Sequence, residues 1–322
     1  MRLRSLTRAV TGDDRPKQFC PLLDGKTLLA HTRERTAHKI SPDRTLFVLM
    51  RAHERFYADE LAEVPPARMV VQPCNRGTLP ATIYPLLRIM KTDPEAVVAF
   101  FPSDHYYSDG TNFMAGIDLA FAAAEIDRDS LILLGAPATH PETEYGWIEA
   151  EAALSSGSPN GLLRVKRFLE KPSEQVAQDL LDRGCVWNTF VMVGRAGAFL
   201  NLIRSTAPEL CQALEFAYAH SGSDRDASNL NEIMNAIYAE LPVSDLSSQV
   251  LASSQEKLRV LCLGDVGWSD VGNPRRLIDV LSRTGQKSDW LAAWQTEGMG
   301  IASSRVSGSI GLAGDLAEAA VA

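Results

Sequence analysis

Through the first half of the chain, short apolar runs alternate with stretches whose apolar residues recur at helical spacing. Thr45-Leu46-Phe47-Val48-Leu49-Met50 predicts a strand, 53–62 a helix, Arg68-Met69-Val70-Val71-Gln72 a second strand and 81–91 a helix. Residues 96–101, 112–125 and 130–135 continue the order as strand, helix and strand. Strands apolar at nearly every position have both faces buried, the mark of a parallel sheet covered by helices on either side. The fold class read from this order is α/β. The second half is less regular. Residues 162–168, 186–193 and 259–263 read as strands, 173–183, 196–205 and 209–220 as helices, and 155–161 as a surface loop. From 299 to 322 Gly, Ser and Ala dominate, which predicts a loosely held tail.

Composition narrows the class without naming it. With 322 residues, 45% of them apolar and 22% charged, the chain can bury a large core, and disorder is not the default. A net charge of −8 argues against a broad nucleic-acid surface but leaves room for a small anionic substrate in a locally basic pocket. There is no apolar run near the roughly 18 residues of a membrane span. The basic opening through Arg8 has no apolar stretch behind it, unlike a secretory signal. The five cysteines are scattered with no C-x-x-C pair, which predicts buried free thiols in a reducing, cytoplasmic setting.

Five polar clusters fall at predicted strand ends, where open α/β sheets bind ligands. Arg15-Pro16-Lys17-Gln18-Phe19 suits a polyphosphate, or is a solvated basic loop. Pro102-Ser103-Asp104-His105 places a carboxylate where a Mg²⁺ ion or a simple capped turn would use it; His105 reads as a hydrogen-bonded neighbour rather than a general base. Glu142-Thr143-Glu144-Tyr145-Gly146-Trp147-Ile148 sets a glycine between aromatics, a close approach to a ligand or to another strand. Phe168-Leu169-Glu170-Lys171-Pro172 ends a strand in an acid and a base, which a surface ion pair would also explain. Gly267-Trp268-Ser269-Asp270-Val271-Gly272 puts an aspartate between glycines.

Taken in order, these segments resemble the nucleotidyltransferase domain of the mannose-1-phosphate guanylyltransferases. That family carries G-G-x-G-T-R-L, P-K-Q-F, R-N-T-A-P, P-S-D-H, P-E-T-x-Y-G-Y-I, F-x-E-K-P, W-N-S-G and G-W-x-D-x-G. The counterparts here are Arg2-Leu3, Pro16 to Phe19, Asn75-Arg76-Gly77-Thr78-Leu79-Pro80, Pro102 to His105, Pro141 to Ile148, Phe168 to Pro172, Trp187-Asn188-Thr189-Phe190 and Gly267 to Gly272. The resemblance spans about residues 2 to 280. It implies a Rossmann-like, mostly parallel sheet with helices on both faces, the nucleotide-diphospho-sugar transferase fold. The nucleotidyltransferase domain would cover 1–285, followed by a C-terminal helix and tail over 286–322. It also implies transfer of a nucleotidyl group from a nucleoside triphosphate, GTP by analogy, to a hexose 1-phosphate such as mannose 1-phosphate.

By the same resemblance, Arg2, Lys17 and Lys171 act on the phosphates, and Asp104 and Asp270 hold Mg²⁺. Glu170, Gly146 and Asn188 line the sugar or ribose pocket, and Gly77 and Thr78 lie by the base. The expected partners are thus the two small substrates, with no nucleic acid or membrane; oligomeric state is not legible. Three positions depart from the pattern. Only the last two residues of the glycine-rich signature have counterparts, so the phosphate loop and its strand are expected upstream of Met1. Without that strand, buried N–H and C=O groups of its neighbours would each cost about 1–3 kcal/mol. Phe190 stands where the family has glycine, and Gly77-Thr78-Leu79 replaces N-T-A. The competing reading is a nucleotide-sugar-binding or regulatory relative that lacks the phosphate loop.

Overall fold

The computed structural model describes residues 3–151, 161–220, 227–288, 290, 291 and 294, and the backbone of 319–321. In chain order the strands are β1 (Leu46–Met50), β2 (Met69–Gln72), β3 (Val97–Pro102), β4 (Tyr106–Tyr107), β5 (Leu131–Pro137), β6 (Gly146–Ala150), β7 (Leu162–Glu170), β8 (Val186–Arg195), β9 (Leu258–Cys262), β10 (Trp268–Ser269) and β11 (Ala319–Val321). Among the described residues nine of them form one sheet, ordered β2-β1-β11-β3-β8-β5-β9-β7-β6. β4 and β10 pair separately.

The apolar continuity read from the sequence has its cause in two cores. Along β3, Val98 and Phe100 face one cluster, which includes Leu133, Met192, Ile83 and Phe199. Ala99 and Phe101 face the other, with Ile132, Leu134, Phe113 and Ile117. Helices Thr78–Thr92 and Ala196–Thr206 cover the first face, and Gly110–Ile126 covers the second. A strand that feeds both cores has no polar face to alternate with.

The α/β class holds, and six strands (β1, β2, β3, β5, β6 and β9) run in one direction. The sheet is nonetheless mixed rather than continuously parallel. β8 runs antiparallel between β3 and β5, and β7 antiparallel between β9 and β6. Strand direction follows from the connections, which apolar patterning does not encode.

Between β1 and β3 lies β11, antiparallel to both. Leu46 and Phe47 oppose Val321 and Ala320, and Phe100, Phe101 and Pro102 oppose Val321, Ala320 and Ala319. The facing backbone groups of β1 and β3 thus have a partner strand. The end of the tail read as loosely held is part of the sheet; the loop at 155–160 and most of the C-terminal helix lie outside the described residues.

Two local readings change. The helix expected over 53–62 is helical only at Glu54–Tyr57, and then breaks into turns before Pro65 and Pro66. The basic opening contains the helix Arg4–Thr11, ended by Gly12 in a left-handed conformation. Leu3, Leu6 and Val10, at helical spacing, pack against Leu277, Val280 and Leu281 of the helix Pro274–Thr284 and against Trp290, Leu291 and Trp294. All five cysteines are free; Cys20, Cys185 and Cys211 are buried as expected, but Cys262 is exposed. No helix among the described residues is long and apolar enough to cross a membrane.

Candidate active site

Asp104 and Asp270 come together because β4 and β10 pair. With Ser269 opposite Tyr106 and Trp268 opposite Tyr107, the turn after β3 and the turn after β10 lie side by side. Lys17, at the start of the short helical turn Lys17–Phe19, reaches both. Its Nζ lies 3.0 Å from Asp104 Oδ2 and donates to the backbone carbonyl of Asp270. Phe19 anchors this turn in a cluster with Leu49 and Tyr57, so the lysine projects from a fixed base.

The two carboxylates differ. Asp104 is buried, and its Oδ1 has no hydrogen-bond partner. His105 Nε2 lies 3.7 Å from that oxygen. Trp268 Nε1–H donates to His105 Nδ1 at 3.3 Å, so Nδ1 is unprotonated. Burial also pushes the imidazole pKa down against the pull of Asp104. His105 is therefore a neutral, hydrogen-bonded neighbour, as read from the sequence. Asp270 is fully engaged: Oδ1 accepts from Tyr145 Oη–H at 2.7 Å and Gly272 N–H at 3.0 Å, and Oδ2 from Arg276 Nη1 at 2.8 Å. Burial would raise its pKa, but Lys17 and Arg276 outweigh it and hold the carboxyl below its usual range.

Tyr145 joins this centre to a second group. Its carbonyl accepts the Lys171 N–H at 3.1 Å, at the far end of the β6–β7 pairing in which Gly146 opposes Glu170. A Cβ on Gly146 would stand 2.8 Å from Glu170 Oε2 and 3.2 Å from Asn188 Cβ, so three sequence-read positions converge on one point. The glycine leaves room for that approach; its backbone angle alone does not call for one. Lys171 Nζ lies 3.6 Å from Glu170 Oε1 and is largely exposed.

Backbone strain gathers here. Lys171, Phe190 and Val271, all within the motif segments, have φ of 48°, 60° and 46°. Such conformations cost about 1–3 kcal/mol each and persist where surroundings over-determine them. Phe190 thus holds a left-handed backbone of the kind that favours glycine, while its ring packs on the sheet's first core cluster.

Gly77 and Thr78 sit at the start of the helix Thr78–Thr92. Thr78 Oγ1 donates to Asp245 Oδ2 at 3.1 Å and accepts Leu246 N–H at 2.7 Å, so its hydroxyl is committed to the fold. The pair still adjoins the Glu170 group, because Asp245 contributes to raising the Glu170 pKa. Arg2 lies outside the described residues. Sequence reasoning did not single out Arg276, Asp245 or the Tyr145 hydroxyl, whose partners are tertiary.

A divalent ion suits the first group in part. Among the described residues no three His, Cys, Asp or Glu side chains gather as a ready cage. Asp104 Oδ1, a buried acceptor with nothing to accept from, is the kind of oxygen a hard cation takes. Mg²⁺ commonly binds through one or two carboxylates, with substrate phosphate and water completing its shell. Asp104 offers an open oxygen for that pattern, whereas both oxygens of Asp270 already accept hydrogen bonds. A cavity of about 570 Å³ lined by Leu210, Ala213, Ile237 and Leu241 includes Ser244 but none of these groups, so chemistry rather than volume locates the site.

Burial pushes the Glu170 carboxyl up to about 7, against the pull of Lys171. A carboxyl raised in this way contributes stability below its unfolded pKa of about 4.3 that is lost as pH climbs through 7. Glu170→Gln is expected to match the native protein at pH 4.5 and to exceed its stability at pH 8 by up to about 3 kcal/mol. Denaturant unfolding at both pH values checks it; an advantage independent of pH would show that burial does not raise the Glu170 pKa.

A profile of the nucleotidyl transferase family matches residues 1–287, most of the chain. The chain belongs to the nucleotidyl transferase family. Within it, the xanthan biosynthesis protein XanB of Xanthomonas campestris pv. campestris (strain B100) is 30% identical over 274 residues, 84% of this chain and 56% of XanB. Mannose-1-phosphate guanylyltransferase 2 of Escherichia coli O157:H7 is 26% identical over 280 residues, again 84% of this chain and 56% of the relative. The chain spans about half the length of these curated relatives. A solved structure from Thermus thermophilus, described as a mannose-1-phosphate geranyltransferase, superposes with a TM-score of 0.72 at 31% identity, covering 84% of this chain and 73% of that one.

Proposed function

We propose that this member of the nucleotidyl transferase family transfers a nucleotidyl group from GTP to mannose 1-phosphate, releasing pyrophosphate. The observation that carries this reading is Lys17 set between Asp104 and the Asp270 backbone, with Asp104 Oδ1 left open. A phosphate oxygen of the sugar 1-phosphate attacks the α-phosphorus; the bond from that phosphorus to the oxygen bridging the α- and β-phosphates breaks, and pyrophosphate takes the electron pair. The attacking oxygen is already ionised, so no residue need remove a proton. What the chain supplies is alignment and charge.

Lys17 faces the triphosphate, and Asp104 and Asp270 would hold Mg²⁺. When bound, that ion neutralises charge growing on the phosphates. Glu170, Gly146 and Asn188 form the seat for sugar or ribose hydroxyls, with Lys171 on the phosphate side. The choice of guanine and mannose is supported by the name of the Escherichia coli relative, and a role in polysaccharide synthesis by the names of XanB and of the alginate biosynthesis protein AlgA of Pseudomonas fluorescens.

The tied carboxylate of Asp270 favours a second reading, a relative that binds a nucleotide sugar without turnover. Pyrophosphate release from GTP plus mannose 1-phosphate, compared with ATP, UTP and dTTP and with glucose 1-phosphate, separates the two. The expected result is release that needs both substrates and Mg²⁺, with GTP and mannose 1-phosphate preferred. GDP-mannose binding without release from any pair would establish the second reading instead.

A further inference from the structure

Arg276 is the side chain with most at stake in the centre and no role in the reaction described above. Its Nη1 holds Asp270 Oδ2 at 2.8 Å, while its Nη2 lies 2.5 Å from Glu142 and 3.0 Å from Glu144. The guanidinium sits over the Tyr145 ring, 4.5 Å from its centroid. One cation thus serves three carboxylates from two segments. Its own seat is built: Pro274 starts the helix, and Asn273 caps it by accepting the Arg276 N–H at 3.0 Å. Gly272 leaves the space for the contact, since a Cβ there would stand 2.4 Å from Asp270 Oδ2 and 2.7 Å from Arg276 Nη1.

The charges in this cluster do not balance. The carboxylates of Asp104, Asp270, Glu142 and Glu144 gather on two basic side chains, Lys17 and Arg276. His105 Nδ1 accepts the Trp268 N–H, and His140, a half-exposed ring, lies 3.4 Å from Glu142. The excess of negative charge is of the size one divalent cation offsets. Yet such an ion cannot use Asp270 Oδ2 while Arg276 occupies it. The fork geometry of the guanidinium offers the way out, because the end on Glu142 and Glu144 can stay bound while the other end lets go.

Resting on the nucleotidyl-transfer reading of this site, we infer that Arg276 is an internal counter-ion for Asp270. It holds the carboxylate oriented when no divalent ion is bound and withdraws onto Glu142 and Glu144 when one arrives. Arg276 is a positioning residue in this scheme and touches no substrate. Metal affinity is then set by competition, and the Glu142–Glu144 pair tunes it by giving the arginine somewhere else to go.

Mn²⁺ binding to the full chain, followed by electron paramagnetic resonance with and without GTP, tests this through a two-residue cycle. Without GTP, Arg276→Gln is expected to tighten Mn²⁺ binding about tenfold, and Arg276→Lys to change it less. Glu144→Gln is expected to weaken binding several-fold in the native background, by leaving the arginine more firmly on Asp270. In the Arg276→Gln background the same substitution is expected to have little effect, because the arm it acts through is gone. Equal effects of Glu144→Gln in both backgrounds would reduce its influence to bulk charge and overturn the proposal. So would an Arg276→Gln variant that unfolds normally but binds Mn²⁺ no better than the native chain. Absence of Mn²⁺ binding in every form, even with GTP, would instead remove the metal reading on which the inference stands.

Discussion

Lys17→Met is expected to lower kcat/KM for nucleotidyl transfer by about 10²–10³-fold, the usual loss when one preorganised charge donor is removed from a centre of growing negative charge. The size follows from its position. The ammonium is mostly buried between the Asp104 carboxylate and the Asp270 carbonyl, so it is already desolvated and needs no rearrangement when phosphate arrives. Lys17→Arg is expected to recover little of the loss. A planar fork cannot place one point charge between two oxygens on separate turns as an ammonium does. Lys17→Met also leaves Asp104 without its cation, which costs about 1–3 kcal/mol of stability. Steady-state kinetics alongside thermal unfolding separates the two effects. Activity within tenfold of native for a folded Lys17→Met protein would move the phosphate site away from this lysine.

The second large effect is structural. Gly77→Ala is expected to destabilise the fold by about 3–5 kcal/mol, a depression of Tm on the order of 10 °C. Gly77 has φ of 99°, and a Cβ would stand 2.0 Å from the Ser244 carbonyl oxygen. That oxygen cannot retreat cheaply. Ser244 is held from both sides, its N–H donating to Arg76 O at 2.9 Å and its carbonyl accepting Leu79 N–H at 3.1 Å. The clash therefore falls on backbone tied to backbone, at the start of the helix that carries Thr78 beside Asp245. Gly184→Ala is the control. Its φ of 70° is also left-handed but nothing lies within 4 Å of a Cβ, so only the backbone term of about 1 kcal/mol remains. Equal Tm shifts for the two variants would mean that the approach of Ser244 to Gly77 does not exist.

How much of this was legible in the chain differs by element. β3, β5 and the helices flanking them were readable because both faces of those strands are buried, so the apolar runs are continuous. β4 and β10 were not, since two residues carry no periodicity, yet their pairing brings Asp104 to Asp270. The helix Arg4–Thr11 had a visible signal in Leu3, Leu6, Val10 and Gly12, obscured by the basic residues on its exposed side. Motif order singled out Lys17, Gly146, Glu170 and Asn188, and the fold brings the last three to one point. For Thr78 the same order pointed to a ligand, whereas its hydroxyl is taken by the 245–246 backbone and side chain.

From the linear pattern alone came the α/β class, the family resemblance and the residue types at the site, because these depend on local spacing and on which side chains must be buried. Tertiary structure alone decided that Lys17 bridges two distant turns, that Phe190 keeps a glycine-like backbone, that β11 lies between β1 and β3, and that Arg276 grips Asp270. Each of these is a contact between segments far apart in the chain. Such contacts are chosen by the competition among all buried charges and backbone groups for partners, and no short stretch of sequence contains both competitors.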